Sequence, residues 1–383
     1  MLYFSQLPSR RIHRIAVSAF FFLAGLCFSS WASRIPDIRL KLHLDNAALG
    51  AVLLSLPTGL MTSLPLAGWL VTRFGSRPVA IFSAILYACT LPLLGSAQVV
   101  WQLVAGLFLF GMGGNMLNIA INTQAIGTES LYRRTIMASY HGLWSLAGFS
   151  GAAIGTLLIS LGWLPWQHFI LVTVIVLLIV LTTSRHLIQK DEKTGGDQPL
   201  FARPDRSLIN LGIIAFCSMI CEGAMFDWSG VYFQKVIHPG KGLVAAGYTA
   251  FMFTMAGGRF LGDWLATRLG IRKILQLSGL LTASGLLIAI LFPWLVPAII
   301  GFLLVGAGVS SVVPLVYSAA GRSKILSPGV ALAAVSTIGY LGFLFGPPFI
   351  GFIAQAFNLR VSLGLVAILG SVITIMAAKT KFE

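Results

Sequence analysis

Three acidic residues stand inside long apolar stretches of the sequence and are the first candidates for chemistry. They are Glu222, Asp227 and Asp263, whereas the other eight of the 11 acids fall in polar segments. An ionisable side chain held at bilayer depth costs ~2.5 kcal/mol or more, so it is a functional candidate by default. The question is which chemistry each position favours.

Glu222 and Asp227 are the candidates for carrying a proton. Glu222 lies about fifteen residues into the apolar stretch 207–234. A low dielectric favours the neutral form of a carboxyl group, a property that suits a proton carrier. The alternative for Glu222 is a protonated side chain bonded to a neighbouring helix. Asp227 lies nearer the far end of the same stretch, where Arg34 is a candidate partner.

A stripe of amide side chains indicates a polar surface. Asn115, Asn118 and Asn122 are spaced three and four apart, so they share one face of a helix. In a membrane such a face must meet protein or water. It therefore either lines a solute cavity or bonds two helices together. His141 and Trp144 on the following apolar stretch add a second polar and aromatic face.

Arg259 and Asp263 are spaced four apart and can pair on one helix face. Their position near the end of a stretch favours a structural gate over contact with solute. No His or Cys partners stand at ligand spacing beside His141, so we expect no metal and no cofactor. No nucleophile, base and acid form a recognisable set either, so we do not expect an enzyme.

The composition identifies the surroundings of these residues as a membrane. Hydrophobic residues make up 57% of the 383 and charged residues 10%, whereas soluble chains carry roughly 25% charged residues. The apolar runs are about 18–25 residues long, close to the ~20 that cross a bilayer as a helix. We predict an all-α integral membrane protein with twelve spans: 13–33, 46–71, 79–96, 99–122, 135–160, 166–187, 207–234, 243–266, 273–291, 296–320, 328–353 and 357–378.

The basic residues orient the chain. The net charge is +15, but Lys and Arg lie in short loops rather than on one surface, which argues against nucleic-acid binding. Nineteen of the 26 fall on one side of the predicted topology and six on the other. The positive-inside rule then places both termini in the cytoplasm.

The chain is predicted to consist of two related halves. The polar stretch 185–206 has linker composition and separates an N-terminal bundle, 1–184, from a C-terminal bundle, 207–383. Residues 69–77 match residues 264–272 at an offset of 195, and the same offset relates three glycine pairs: Gly106 and Gly301, Gly111 and Gly306, Gly113 and Gly308. Two pseudo-symmetric six-helix bundles are typical of transporters that bind solute near the midplane and work by alternating access.

The segment Gly68–Arg77 resembles the loop motif of the major facilitator superfamily, G-x-x-x-D-R-x-G-R-R, with Thr72 where the acid is expected. Thr267 occupies the same place in the second copy. Threonine at both places supplies no acid for the charge latch of this motif. The resemblance assigns these positions to a gate at the inner mouth, formed by Arg73, Gly75, Arg77, Arg259, Asp263 and Arg268.

A narrower resemblance is to inner-membrane proteins of the YbjJ type, a branch similar to fucose permeases. It is carried by the segments 30–36, 120–122, 141–142, 222–228, 339–340 and 346–348. Trp31, from the first of these, joins Asn115, Asn118, Asn122, His141 and Trp144 as an expected cavity residue. The resemblance implies a bacterial inner membrane and a small-molecule solute.

These observations favour a proton-coupled secondary transporter that imports a small polar, sugar-like solute and works as a monomer. A proton-coupled efflux carrier for amphiphilic compounds or drugs is the alternative, because the Phe-rich, weakly charged helices would also permit it.

Overall fold

The computed structural model describes residues 7–132, 136–189, 206–322 and 328–380. Within these ranges the chain is helical and has no β-strand, as expected where a backbone in hydrocarbon must satisfy its own polar groups. The helices are α1 (Leu7–Lys41), α2 (Asn46–Leu53), α3 (Ser55–Phe74), α4 (Ser76–Ser96), α5 (Val100–Tyr132), α6 (Met137–Ser160), α7 (Pro165–Thr183), α8 (Arg206–Tyr232), α9 (Ala246–Leu269), α10 (Ile271–Leu291), α11 (Leu295–Val309), α12 (Val312–Ala320), α13 (Pro328–Ala356) and α14 (Leu359–Lys379).

Two of the predicted spans are interrupted helices. α2 and α3 follow one another around Leu54, and α11 and α12 follow one another around Ser310 and Ser311. Within the described ranges, eleven segments are long and apolar enough to cross a membrane. α9, which holds Arg259 and Arg268, is not among them, yet it occupies the place of the predicted span 243–266. The helices therefore account for all twelve predicted spans.

The first helix is longer than predicted. The span was expected to end at Ser33, but α1 continues through Arg34 and Pro36 to Lys41. Arg34 is accommodated inside the protein because it pairs with Asp37 at 2.8 Å, less than one turn further along α1. A charge that is neutralised on its own helix does not end that helix.

The chain divides into two compact units. The first contains Met1–His43 and Ser55–Thr194, and the second contains Leu44–Leu54 and Gly195–Glu383. The predicted linker, 185–206, begins with a short 3₁₀ turn at Ser184–His186, but its residues 190–205 lie outside the described ranges.

One short segment departs from the predicted domain limits. All of 1–184 was assigned to the N-terminal bundle, whereas Leu44–Leu54 groups with the second unit. The reason is its packing along α13. Gly50 lies against Pro347 and Gly351, and the Asn46 side chain donates to the carbonyl of Ala354 at 3.1 Å.

The offset of 195 recurs in the packing of each unit. Glycines of α5 and α11 touch residues that are themselves 195 positions apart, so the contacts as well as the sequence are repeated. The matching contacts are Gly106 with Leu94 and Gly301 with Ala289, Gly111 with the Leu56 carbonyl and Gly306 with the Phe251 carbonyl, and Gly113 with Tyr87 and Gly308 with Thr282.

The loop copies of the repeat also share a backbone conformation. Gly75 joins α3 to α4 with φ +88°, and Gly270 joins α9 to α10 with φ +80°. Glycine adopts this left-handed region without the strain that a Cβ would bring. The two glycines therefore set the same tight turn in each unit.

Replacing Gly306 by alanine is expected to destabilise the protein by about 1–3 kcal/mol, because the new methyl group would meet the carbonyl oxygen of Phe251. Gly257→Ala on α9 is the matched control. Nothing lies within 4 Å of a Cβ at this position, and alanine is the better helix former. Thermal unfolding of both variants in one detergent compares them, and equal midpoints would contradict the packing described here.

Candidate functional site

An ion pair inside the second unit joins α8 to α9. The Arg259 guanidinium donates from Nη2 to Oε1 of Glu222 at 3.1 Å, and the exposed fractions of the two side chains are 19% and 7%. Charges removed from water attract each other strongly, but each has lost its hydration. Separating the two charges, or removing one of them, therefore destabilises the folded protein.

This pair changes the sequence-based view of Arg259. Arg259 was grouped with Asp263 as part of a gate, because the two are four residues apart. The structure pairs Arg259 with Glu222, 37 positions away. The Asp263 side chain lies outside the described residues, so its pairing with Arg259 stays a prediction. The predicted proton carrier and a predicted gate residue thus belong to one site.

Two tyrosines lie near Glu222. Tyr317 on α12 and Tyr340 on α13 both lie within electrostatic range of the Glu222 carboxyl group. Helices α12 and α13 reach this point because both pack along α8. The composition counts tyrosine among the hydrophobic residues, so Tyr317 was not singled out, and Tyr340 entered only as part of the resemblance at 339–340.

Small residues bring α9 close enough to form the site. Gly258 and Gly262 face Ser310 and Ser311 at the break between α11 and α12, and the Ser311 hydroxyl donates to the Gly258 carbonyl at 3.4 Å. Close helix contact through small residues is the usual packing device in membranes. This contact fixes the position of Gly258, which directly precedes Arg259 in the chain.

Asp227 is a second acid on α8 and is half-buried. Among the described residues it has neither a hydrogen bond nor an ion pair. The partner suggested from the sequence, Arg34, is already engaged in the first unit. Arg34 bonds Asp37 at 2.8 Å and donates from Nε to Nδ1 of His168 at 3.1 Å.

The predicted asparagine stripe on α5 divides into two parts. Asn115 is buried and donates to the Ser63 hydroxyl on α3 at 2.9 Å, so it bonds two helices together. Asn122 donates to the backbone carbonyl and the side-chain oxygen of Asn118, at 2.7 and 3.0 Å. Asn118 is exposed. Only Asn118 and Asn122 therefore present an accessible polar surface.

The other expected cavity residues lie where α1 packs on α6. His141 is exposed and meets the ring of Phe21 edge-on, with centroids 5.3 Å apart. Trp144 is half-buried beside Phe28. Trp31 is 2% exposed, so it is enclosed by its neighbours and has no accessible surface for a solute in this conformation.

The loop-motif residues lie at helix ends. Arg73 is exposed at the end of α3, Arg77 is half-buried at the start of α4, and the Arg268 guanidinium lies 4.4 Å from the ring centre of Trp264. Thr72 and Thr267 donate to carbonyls of their own helices, at Gly68 and Trp264. Threonine supplies no negative charge here, which weakens the expectation of a charge latch.

Comparisons with known proteins agree with this architecture. A sequence model of the Major Facilitator Superfamily matches residues 17–325. An uncharacterised MFS-type transporter of Yersinia pestis is 35% identical over 349 residues, which cover 91% of each chain. The matches extend over both units.

Solved structures confirm the predicted fold. A bacterial homologue of the human lysosomal transporter Spinster, inward-facing and unoccupied, aligns with a TM-score of 0.78 at 15% identity over 98% of each chain. The Escherichia coli fucose:proton symporter aligns with a TM-score of 0.63 at 19% identity, over 97% of this chain and 99% of the other. At these identities the likeness concerns the fold alone.

The ion pair predicts an asymmetry between two substitutions. Glu222→Gln leaves a guanidinium that stays charged, whereas Arg259→Gln leaves a carboxyl group that can take up a proton. We expect Glu222→Gln to cost about 3–5 kcal/mol, Arg259→Gln to cost less, and the double variant to recover most of the loss.

Unfolding of the solute-free protein in detergent measures these differences. Asp227→Asn is the control, because it removes an acid that has no partner among the described residues. Equal losses for Glu222→Gln and Asp227→Asn would show that the pair contributes nothing to stability.

Proposed function

The chain belongs to the major facilitator superfamily, and we propose that it imports a small polar, sugar-like solute together with a proton, by alternating access. Family membership makes it a multi-pass secondary transporter. The proton coupling, the direction and the solute class are the proposal. We also propose the bacterial inner membrane as its location, with both termini in the cytoplasm.

The observation that carries the proposal is the Glu222–Arg259 ion pair. Uptake of a proton by Glu222 removes one of the two opposite charges and breaks the Glu222–Arg259 ion pair. The protonated and deprotonated sites therefore differ in both charge and contacts. By linkage, a proton drives accumulation only where its occupancy differs between states, and this pair supplies such a difference.

Asp227 is proposed as a second proton site on the same helix. It lies five positions after Glu222, and no partner for it is found among the described residues. A proton can therefore bind Asp227 without breaking an ion pair. This makes Asp227 the weaker coupling candidate, because its protonation changes fewer contacts.

Hydroxyl recognition is assigned to the amides of α5 and to the phenols near Glu222. Asn118 and the half-buried Asn122 form an amide pair in the first unit, and Tyr317 and Tyr340 lie near Glu222 in the second. Amide and hydroxyl groups can both donate and accept, as a polyol requires. Among solved proteins of this fold, the fucose:proton symporter is one that is named for carrying a sugar with a proton.

The gate is proposed at the loop motifs. Arg73, Gly75 and Arg77 surround the turn from α3 to α4, and Arg268 precedes the equivalent turn at Gly270. Substitution of these residues should change how often the transporter turns over while leaving solute affinity unaltered.

Glu222→Gln should lose uphill uptake driven by a pH gradient yet keep solute-for-solute exchange. The amide mimics the protonated side chain, so the solute still binds, but no proton is exchanged between the two sides. Asn118→Ala should weaken binding by about 0.5–1.5 kcal/mol through the loss of one hydrogen-bonding group, and should remain coupled.

Paired counterflow and pH-jump uptake in proteoliposomes separate these effects. Normal accumulation by Glu222→Gln under a proton gradient would rule out Glu222 as the coupling site. Net release rather than uptake of the solute under the same gradient would establish an exporter.

A further inference from the structure

We propose that the face of α8 that bears Glu222 holds a chain of water molecules on the hydroxyls of Ser218 and Ser229, and that this chain carries protons to and from Glu222. The inference rests on the proposed function, because it supplies the route to the coupling acid. Ser218 and Ser229 are positioning residues, since they hold the water through which the proton moves.

A coupling acid must exchange protons with water, and Glu222 is closed off from it. Glu222 is 6% exposed, and its carboxyl group is held by Arg259. Packed apolar side chains do not conduct protons, because a proton passes only between groups within hydrogen-bond reach or through a bridging water. The proposed function therefore requires a hydrogen-bonded path to Glu222 through the protein.

Two buried serines lie on the same face of α8 as Glu222. Ser218 stands four positions before Glu222, and Ser229 stands seven positions after it. At 3.6 residues per turn the three side chains fall within about 40° of one another, separated by about 6 Å and about 10.5 Å along the axis. Ser218 is 0% and Ser229 is 2% exposed. The serines therefore extend a polar line from Glu222 toward both ends of α8.

The hydroxyls of Ser218 and Ser229 have no hydrogen-bond partner in the part of the chain that the structure describes. A serine inside a helix can donate to a carbonyl three or four positions earlier, as Ser30 does to Leu26 at 2.7 Å. Ser218 and Ser229 do not make that bond. A buried polar group without a partner is costly, and buried water is the usual partner of such groups. The two hydroxyls thus point to water as their ligand.

The break between α11 and α12 places further polar groups beside Glu222 and its partner. Ser310 and Ser311 interrupt the helix there, and the Ser311 hydroxyl donates to the carbonyl of Gly258, the residue before Arg259. Helix ends leave backbone groups without intrahelical partners. Irregular backbone at membrane depth therefore occurs where it is buried in protein or lines water. The surroundings of Glu222 are polar beyond the two serines of α8.

The other ionisable groups near Glu222 do not provide this route. Those whose interaction with Glu222 the structure describes lie on α9, α12 and α13: Arg259, Tyr317 and Tyr340. A guanidinium and a phenol titrate far above neutral pH. Asp227 lies on α8 itself, but roughly 140° around the helix from Glu222. Asp263 on α9, whose side chain lies outside the described residues, is the competing route that the experiment includes.

The internal repeat shows that the fold does not require this line of hydroxyls. The positions 195 residues before Ser218, Glu222 and Ser229 are Leu23, Cys27 and Arg34. None of these is a hydroxyl or a carboxyl residue. The first helix of the first unit thus packs without them, and the line of two serines and an acid is particular to α8.

Threonine and valine have nearly the same shape and differ in one hydroxyl, so they separate the volume of each serine from its hydrogen bond. The double variants Ser218→Thr/Ser229→Thr and Ser218→Val/Ser229→Val are placed in lipid at acidic pH and moved rapidly from ordinary to heavy water. The C=O stretch of the Glu222 carboxylic acid shifts as deuterium replaces its proton. We expect the valine pair to exchange roughly tenfold or more slowly than the wild type, and the threonine pair to recover most of the rate.

Ser362→Val is the control, because Ser362 is fully buried but its hydroxyl donates to the carbonyls of Ile350 and Asn358. This substitution should leave the exchange rate of Glu222 unchanged. Equal rates for the valine and threonine pairs would overturn the proposal. Slow exchange in Asp263→Asn together with a normal rate in the valine pair would place the route along α9, and would overturn it as well.

Radiolytic labelling of the wild-type protein detects the water without any variant. Hydroxyl radicals that an X-ray pulse forms from bound water oxidise a neighbouring methionine, and mass spectrometry locates the product. Met225 is 0% exposed and lies between Glu222 and Ser229 on the proposed face, so we expect it to be oxidised. Met116 on α5 is also buried, and the residues three and four positions from it are apolar, so it should stay unmodified. Oxidation of Met225 no greater than that of Met116 would contradict a water chain.

The route and the proposed coupling fail in different ways. A wild-type protein without an infrared acid band from Glu222 would overturn the coupling and the route together. A Glu222 acid band that exchanges at one rate in the wild type and in both serine pairs would leave the coupling intact and refute the route.

Discussion

The interior of a bilayer offers no water to a peptide group, and this constraint shapes the whole molecule. Every span is helical because a helix satisfies its backbone groups internally. Helices then associate by close packing rather than by burial of apolar surface from water. The repeated contacts of Gly111 with Leu56 and of Gly306 with Phe251 show how closely the backbones approach. The placement of polar side chains follows from this packing.

The ion pair of Glu222 and Arg259 places two charges among transmembrane helices. Glu222 and Arg259 each occupy a place that costs free energy when its charge is alone. The equivalent positions of the first unit, Cys27 and Leu64, show that the fold does not require charges there. Protonation of Glu222 changes both the charge and the contacts of this site, because it breaks the ion pair with Arg259. That is the property a proton-coupled transporter needs.

The polar groups of the first unit are largely used for structure. Asn115 bonds Ser63, and Arg34 is held by Asp37 and His168. Among the expected cavity residues of this unit, Asn118 and His141 are exposed and Asn122 is half-buried. The two units thus differ in where their ion pairs lie: Arg34 and Asp37 pair along one helix of the first unit, whereas Glu222 and Arg259 join two helices of the second.

The sequence predicted the helical class, the span positions and the repeat, because hydropathy and spacing are local properties. The motif at residues 68–77 and its copy correctly located the turns at Gly75 and Gly270. The sequence pattern does not predict contacts between residues that are far apart in the chain. Arg259 sits four residues from Asp263 in sequence, and only the packing of α8 on α9 shows that it meets Glu222.

The breaks at Leu54 and at Ser310 and Ser311 were missed for a related reason. The segments on both sides of each break are apolar, so hydropathy shows each pair as one continuous span. The burial of Trp31 was missed as well. An aromatic residue on an apolar helix has the same sequence signature whether it lines a cavity or packs in a core, and here it packs.

Infrared difference spectroscopy tests the central claim most directly, since it observes the carboxyl group itself. The purified transporter in lipid is compared between neutral and acidic buffer, and the C=O stretch of a protonated carboxylic acid is recorded. The account predicts a band in the wild type that is absent from Glu222→Gln and that changes in frequency in Arg259→Gln, because the partner of the acid has been removed. The same band with the same frequency in all three proteins would show that Glu222 does not take up the proton.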